Sequence, residues 1–280
     1  MSLSIQTSYA SLVTQNSLSS ANDKLTTAME RLSTGYAVNS SADDAAGLSI
    51  ATRMQSESDG MTVAMSNVED ASSMLSTADG ALDEMTDIVG RMKDLATSAA
   101  NGTYSDDDIS AMNDEYSELA EELGSVMSNT SFGGTSLLDT TSGKLGSGAV
   151  TFQVGASADE TLEVDISTSL GTVATGITTA QGTTLDSTTA SDQITAMETL
   201  LSDVSDTRSS LGASMNRLDY ASENLTNMQE NTDTAIGNIM DADYASETAE
   251  MSKQELLEQA GMSVLSSVSE MQGLITNLLG

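Results

Sequence analysis

The feature that most restricts this chain is a pair of interleaved seven-residue series. Met54, Met61, Val68, Leu75, Leu82, Val89 and Ala96 form one, and Ala64, Ala71, Ala78, Met85, Met92 and Ala99 form the other. Offsets of three and four between them place every member on one seam of a helix. About fifty residues in a single helix would extend roughly 75 Å, at 1.5 Å per residue. So long a stripe needs a second long helix beside it.

That partner is legible further along. Met197, Val204, Leu211, Leu218, Leu225, Thr232 and Ile239 repeat every seven residues, with Ile194, Leu201, Met215 and Ile236 on the companion positions. A shorter helix follows the Asn101-Gly102 turn signal, where Ile109, Tyr116 and Leu123 interleave with Met112, Leu119 and Val126. The acids Asp106, Asp107 and Asp108 in its first turn suit the helix dipole. Both extremities carry the same signature. Leu18, Leu25 and Leu32 interleave with Ala21 and Ala28 after Ile5 and Leu12, while Leu257, Val264, Met271 and Leu278 interleave with Gly261, Val268 and Ile275. Head and tail are expected to pair, and their seams to stay marginal until neighbouring copies cover them.

The middle reads differently. VTFQV alternates Val150, Phe152 and Val154, and LEVDI alternates Leu162, Val164 and Ile166, which predicts two strands of a hairpin. The Gly-, Thr- and Ser-rich stretch from Gly171 to Asp192 reads as a surface loop. The expected fold is mainly α, a long antiparallel helical bundle or coiled coil built from both termini with a small β-hairpin inserted. Its expected parts are a terminal coiled coil (1–40 with 241–280), a three-helix body (41–170 with 193–240) bearing the hairpin at about 148–168, and the loop 171–192.

Composition removes whole chemistries. The chain has no His, Cys, Trp or Pro. No thiol nucleophile, Ser-His-Asp triad, HExxH zinc site or sulfur-ligated cluster can be built, so no catalytic residue, metal or cofactor is expected. With 42 acids against nine bases the formal charge is -33, which opposes binding to nucleic acid or an anionic membrane. Such self-repulsion is best tolerated where salt screens it, and a saline working environment is expected. MSLSIQTSYASLV has neither a basic segment nor a continuous apolar core, so export by a cleaved presequence is not expected.

Candidate residues have two readings each. Asp43 and Asp44 are adjacent, so on a helix they point about 100 degrees apart and cannot share a proton. They read as a helix start instead, with Ser41 and Asp44 spaced as a capping box and Ala45, Ala46 and Gly47 keeping that surface thin. Many of the 17 methionines fall on heptad positions, which favours core filling over metal binding. Because bases are scarce, Arg53, Arg208 and Arg217 read as inter-helix or inter-subunit ion pairs.

By now the residues resemble bacterial flagellin. ERLSTG (Glu30–Gly35), ADDAAGLSIA (Ala42–Ala51) closed by Arg53, ADGALDEM (Ala78–Met85) and RMKDLATSAANGTYSDDD (Arg91–Asp108) look like the family's N-terminal half. FGGTSLLD (Phe132–Asp139), FQVGA (Phe152–Ala156), LGASMNRLD (Leu211–Asp219), DADYASE (Asp241–Glu247) and QAGMSVL (Gln259–Leu265) follow in the family's order. The chain departs from it at Tyr36, Ala37 and Asn238, where flagellins usually carry basic residues.

The resemblance implies a non-enzymatic subunit, extracellular, that polymerises with itself into the filament of the bacterial flagellum after unfolded export through the flagellar type III apparatus. A flagellin-like hook-filament junction protein is the alternative. The polymerisation seams would be Leu18, Leu25, Leu32, Leu257, Val264, Val268, Met271, Ile275 and Leu278. Partners implied by the family are an export chaperone on the C-terminal helix, cap and hook-junction proteins, and a flagellin-sensing Toll-like receptor. Arg91, Leu95 and Glu115 match that receptor's contact positions.

Overall fold

The computed structural model describes residues 9–279, with side-chain surroundings for 9–271. Six helices and two small antiparallel hairpins follow one another among them: α1 (Tyr9–Thr34), α2 (Ala45–Ala99), α3 (Asp106–Asn129), β1 (Ser131–Phe132), β2 (Thr135–Ser136), β3 (Val150–Gln153), β4 (Thr161–Val164), α4 (Ser167–Gln181), α5 (Ala190–Met240) and α6 (Tyr244–Leu279). The fold is mainly α, as the periodicity predicts. Contacts divide the described residues into a terminal unit, up to Ser56 and from Glu230 onward, and a body, Glu57–Gln229. The division falls inside α2 and α5 rather than at 40 and 241, because a continuous helix can pass from one set of neighbours to another without a break in its backbone.

In the body α2 and α5 run antiparallel, with Lys93 against Glu198, Asp79 against Arg208 and Thr62 against Gln229. Every heptad position of α2 from Met61 to Ala99 is buried. So are Met197, Val204, Leu211, Leu218 and Leu225 of α5. Helix α3 folds back on α2 and buries Ile109, Tyr116 and Leu123. Its start is a true capping box, Ser105 and Asp108 each accepting from the other's backbone N–H.

The body holds four helices, not three. The stretch expected as a loop from Gly171 to Asp192 is largely α4, which buries Leu170, Val173, Ile177 and Ala180. Gly and Thr disfavour helix intrinsically, but a buried face overrides that preference. Its threonines turn their hydroxyls onto their own helix, as Thr175 Oγ1 does to the Gly171 carbonyl at 2.8 Å. Gly176 admits Leu200 of α5 so closely that an added Cβ would stand 2.8 Å from Leu200 Cδ1. Accommodating α4 shifts the second buried series of α5 to Gln193, Leu200 and Thr207, while Ile194, Leu201 and Met215 stay half-buried. Beyond α4, Leu185 is also buried, and its N–H donates to Asn113 Oδ1 at 2.7 Å.

The expected hairpin is β3–β4, with Val150 opposite Val164 and Phe152 opposite Leu162. Its turn is organised by Gln153, whose Nε2 donates to the carbonyls of Gly155, Ser157 and Glu160 at 2.8, 2.6 and 3.1 Å. Gly60 of α2 lets that turn approach, since a Cβ there would lie 2.9 Å from Ala156 Cβ. The smaller β1–β2 hairpin turns on Gly133 and Gly134, whose φ values of 58 and 80 degrees match the two-residue turn that requires both positive.

In the terminal unit α1 and α6 pack antiparallel, Arg31 lying beside Glu247 and Leu18 beside Gly261. Helix α1 ends where Gly35 takes a φ of 79 degrees, the left-handed conformation that stops a helix without a Cβ clash.

Candidate functional site

The two-helix terminal unit has an inner and an outer face. On α1 Ala21 and Ala28 are buried and Leu18, Leu25 and Leu32 are half-buried, all turned towards α6. On α6 the inner row is Glu247, Met251, Gln254, Glu258, Gly261, Leu265 and Val268. Small residues make this seam thin: an added Cβ on Gly261 would be 3.3 Å from Leu18 Cδ1. Gln254 is only 2% exposed and its amide donates to Glu250 at 2.5 Å, a polar group sealed into the seam with its hydrogen bond made.

Leu257, Val264 and Met271 lie elsewhere. They are 49%, 48% and 59% exposed, turned away from α1 along one line of α6. A pair of helices can cover one stripe on each partner, and α6 carries two. Leu12 and Val13 are similarly exposed on α1, as are Leu256 and Met262 on α6. The side chains of Ile275 and Leu278, also expected on the seam, lie outside the described residues, as does Ile5.

Between α1 and α2 the chain is clamped against the segment between α5 and α6. The N–H of Ala37 donates to the Met240 carbonyl at 2.6 Å, and the N–H of Ala242 to the Gly35 carbonyl at 2.9 Å. The start of α2 follows. Asp44 caps it by accepting from the N–H groups of Ala46 and Gly47, both at 3.0 Å. Ser41 takes no part, which corrects the expected capping box: α2 begins at Ala45, so Asp44 itself is the residue before the helix. Asp43 secures the turn, accepting from the N–H of Asn39 and from the N–H and hydroxyl of Ser40. The Ser40 bonds hold the Asp43 carboxyl below its ordinary range, a structural carboxylate and not an acid/base. Ala45 and Ala46 are exposed, while Gly47 is buried, with an added Cβ falling 2.5 Å from Asp44 Oδ2 and 3.4 Å from Ile239 Cγ2. Of Ala45, Ala46 and Gly47, only Gly47 serves close approach within the chain.

The arginines separate. Arg208 of α5 reaches two carboxylates one turn apart on α2, Nε to Asp79 Oδ1 at 3.0 Å and Nη1 to Asp83 Oδ1 at 2.6 Å. Those acids raise its pKa further. Arg53 and Arg217 are exposed and make no ion pair among the described residues. Arg91 and Glu115 join α2 to α3, Nη2 to Oε1 at 2.7 Å, and both are exposed, whereas Leu95 is buried. Sequence reasoning missed two cross-helix pairs, Arg31 with Glu247 at 3.0 Å and Lys93 with Glu198 at 2.9 Å. The signal was available in the scarcity of bases, applied to three arginines only.

No group of metal-ligating side chains occurs among the described residues, and no helix there is long and apolar enough to cross a membrane.

Against known proteins, the bacterial flagellin N-terminal helical region matches residues 5–142 and the bacterial flagellin C-terminal helical region matches residues 194–279. Flagellin of Listeria innocua is 34% identical over 286 residues, 99% of each chain. Flagellin of Halalkalibacterium halodurans is 37% identical over 253 residues, 90% of each. Among solved structures, Bacillus cereus flagellin aligns with a TM-score of 0.50 and 34% identity, covering 57% of this chain and 88% of its own. A putative flagellar hook-associated protein from Vibrio parahaemolyticus aligns at 0.56 with 17% identity, covering 71% of this chain and 100% of its own, a likeness of fold. With both helical regions matched in order and full-length relatives at this identity, the chain belongs to the bacterial flagellins.

Proposed function

We propose that the outward stripes of the terminal unit join one subunit to the next in the flagellar filament. As a flagellin the chain is a structural, extracellular subunit that polymerises with itself into that filament. The observation carrying the assembly reading is the row Leu257, Val264 and Met271, each about half exposed or more on a helix whose other face is already occupied. Burying such side chains between subunits is worth about 1.5–3 kcal/mol for each one fully covered. Repeated at every contact of a helical polymer, that is ample for assembly.

The test replaces the row and leaves the inner seam intact. Leu257→Ser with Val264→Ser is expected to keep the body's helical signal and to abolish filaments in the electron microscope. Filaments of normal length from that variant would overturn the assignment. Removing Gly261–Gly280 is expected to act alike.

The finer partners rest on the same faces. An export chaperone that keeps subunits apart needs the bare stripe of α6, and cap and hook-junction proteins meet the terminal unit at the ends of the polymer. Arg53 and Arg217, exposed and without ion pairs among the described residues, meet acids of neighbouring subunits in this reading. Recognition by a flagellin-sensing Toll-like receptor rests on Arg91 and Glu115, which present a joined ion pair on the body; Leu95, one turn along α2 from Arg91, is buried. A reporter-cell assay with purified subunit and Arg91→Ala tests it, and silence at high dose of the unaltered subunit ends it.

A further inference from the structure

Of the thirteen asparagines in the chain only Asn101 is followed by glycine. It stands in the exposed connection between α2 and α3. Three features of that turn converge on the Asn101 side chain. The N–H of Thr103 donates to Asn101 Oδ1 at 3.3 Å, so the side-chain amide is folded back over the Gly102 peptide and its carbonyl is polarised. The Gly102 N–H makes no hydrogen bond among the described residues, in contrast to the N–H groups of Ala100, Asn101 and Tyr104 around it. A Cβ on Gly102 would meet nothing within 4 Å, and the residue has none, so no side chain shields the nitrogen.

We propose that Asn101 is a site of self-modification, losing its amide through a cyclic imide formed with Gly102. The Gly102 nitrogen, giving up its proton to water or hydroxide, bonds to Asn101 Cγ; the Cγ–Nδ2 bond breaks and ammonia leaves with the proton returned. Water then opens the ring at either carbonyl. One opening gives aspartate. The other gives isoaspartate, whose main chain runs through the former side chain and is longer by one methylene. The nucleophile and the electrophile are held in one residue pair, which replaces a bimolecular encounter with an intramolecular one. Thr103 supplies the donor for the oxygen on which charge develops.

The consequence is local. The product carries a new negative charge just beyond the C-terminus of α2, where the helix dipole disfavours it, and lengthens the backbone of the connection to α3. Asn39, a half-buried asparagine in the turn before α2, differs in that its Nδ2 is engaged by the Tyr36 carbonyl at 3.1 Å and a Ser40 side chain follows. The mark is therefore specific to one turn and accumulates with the age of the subunit.

The full chain, incubated at mildly alkaline pH and mapped by tandem mass spectrometry, is expected to gain about 1 Da at Asn101, on the order of tenfold faster than at any other asparagine. Isoaspartate is expected among the products, detected by isoaspartyl methyltransferase labelling. Gly102→Ala, for which the turn has open space, is expected to keep the circular dichroism and melting of the parent and to slow the gain to the level of the other asparagines. An Asn101 that changes no faster than its fellows, a Gly102→Ala chain that changes as fast as the parent, or aspartate formed with no isoaspartate would each overturn the proposal.

Discussion

Arg31 and Glu247 bind α1 to α6 by an ion pair of 3.0 Å in which Glu247 is the better buried, its side chain 16% exposed against 31% for Arg31. The Arg31 Nε is also buried, with no partner among the described residues. A partly buried charge left alone costs more than a surface pair is worth. Glu247→Ala is therefore expected to destabilise the α1–α6 pair by about 1–3 kcal/mol. The loss should appear as faster hydrogen exchange along α1 and α6, with the body unchanged, and as filaments that depolymerise at lower temperature. Glu247→Gln, which still accepts a hydrogen bond, should fall between.

What the sequence makes legible is decided by how many neighbours a stripe has. On α2 both heptad series from Met61 to Ala99 are buried where the count puts them, because helices flank that seam throughout. On α6 the count finds Leu257, Val264, Met271 and Val268 alike, yet only Val268 turns inward, because a single chain supplies one neighbour and periodicity does not say which. Helix α4 was hidden by composition. Leu170, Val173, Ile177 and Ala180 carry a helical spacing, but glycine and threonine between them mimic a loop. At the start of α2 the acids are right and the cap is displaced: Asp44, not Ser41, meets the free N–H groups, a difference of one turn that side-chain chemistry alone leaves open.

Val173→Asp distinguishes a docked α4 from a surface loop. The side chain is fully buried, and a carboxylate there has no partner to meet it. A loss of about 3 kcal/mol or more is expected in denaturant unfolding of the body. A loop residue would tolerate the change within about 0.5 kcal/mol.

Tyr116 makes the body sensitive to alkali. Burial pushes its hydroxyl from 10.0 up to about 12, and the hydroxyl donates to Gln193 Oε1 at 2.9 Å. The folded state thus holds its proton where the unfolded chain releases it. The resulting stability is complete below pH 10.0 and is lost as pH rises towards about 12. Tyr116→Phe should remove that part of the alkaline decline while lowering stability at neutral pH by about 1–2 kcal/mol, since Gln193 then loses its partner. Parallel melts of both proteins from neutral to strongly alkaline pH check it.

Asp186 sets the opposite limit. Its carboxylate accepts from the Thr188 hydroxyl and from the N–H groups of Thr188 and Thr189 ahead of α5, which lowers its pKa to about 2. A depressed folded value means the contribution is present above the unfolded value of 3.8 and is lost as pH falls towards about 2. Asp186→Asn keeps an acceptor that does not titrate. It should flatten the acid side of the melting profile in that window, and an unchanged profile would show that this turn does not limit acid stability.

Arg208 tests how the body carries its charge. Residues 57–229 hold 29 acids and five bases, a net of -24, against 13 acids and four bases, net -9, in the remainder. Asp79 and Asp83 are one turn apart on α2, and Arg208 keeps them from facing each other unneutralised. With all three side chains partly exposed, the direct interaction is screened, and Arg208→Met is expected to lower stability by only about 1 kcal/mol at physiological salt. At low salt the screening length grows from about 8 Å to about 30 Å, so carboxylates farther along α2 and α3 enter the repulsion. The variant's deficit should therefore widen as salt is withdrawn and shrink in brine, and the parent's melting temperature should rise with salt in the same sense. A melting temperature indifferent to salt in both proteins would mean that the acids are spaced widely enough to ignore one another, and the expectation of a saline working environment would lose its physical ground.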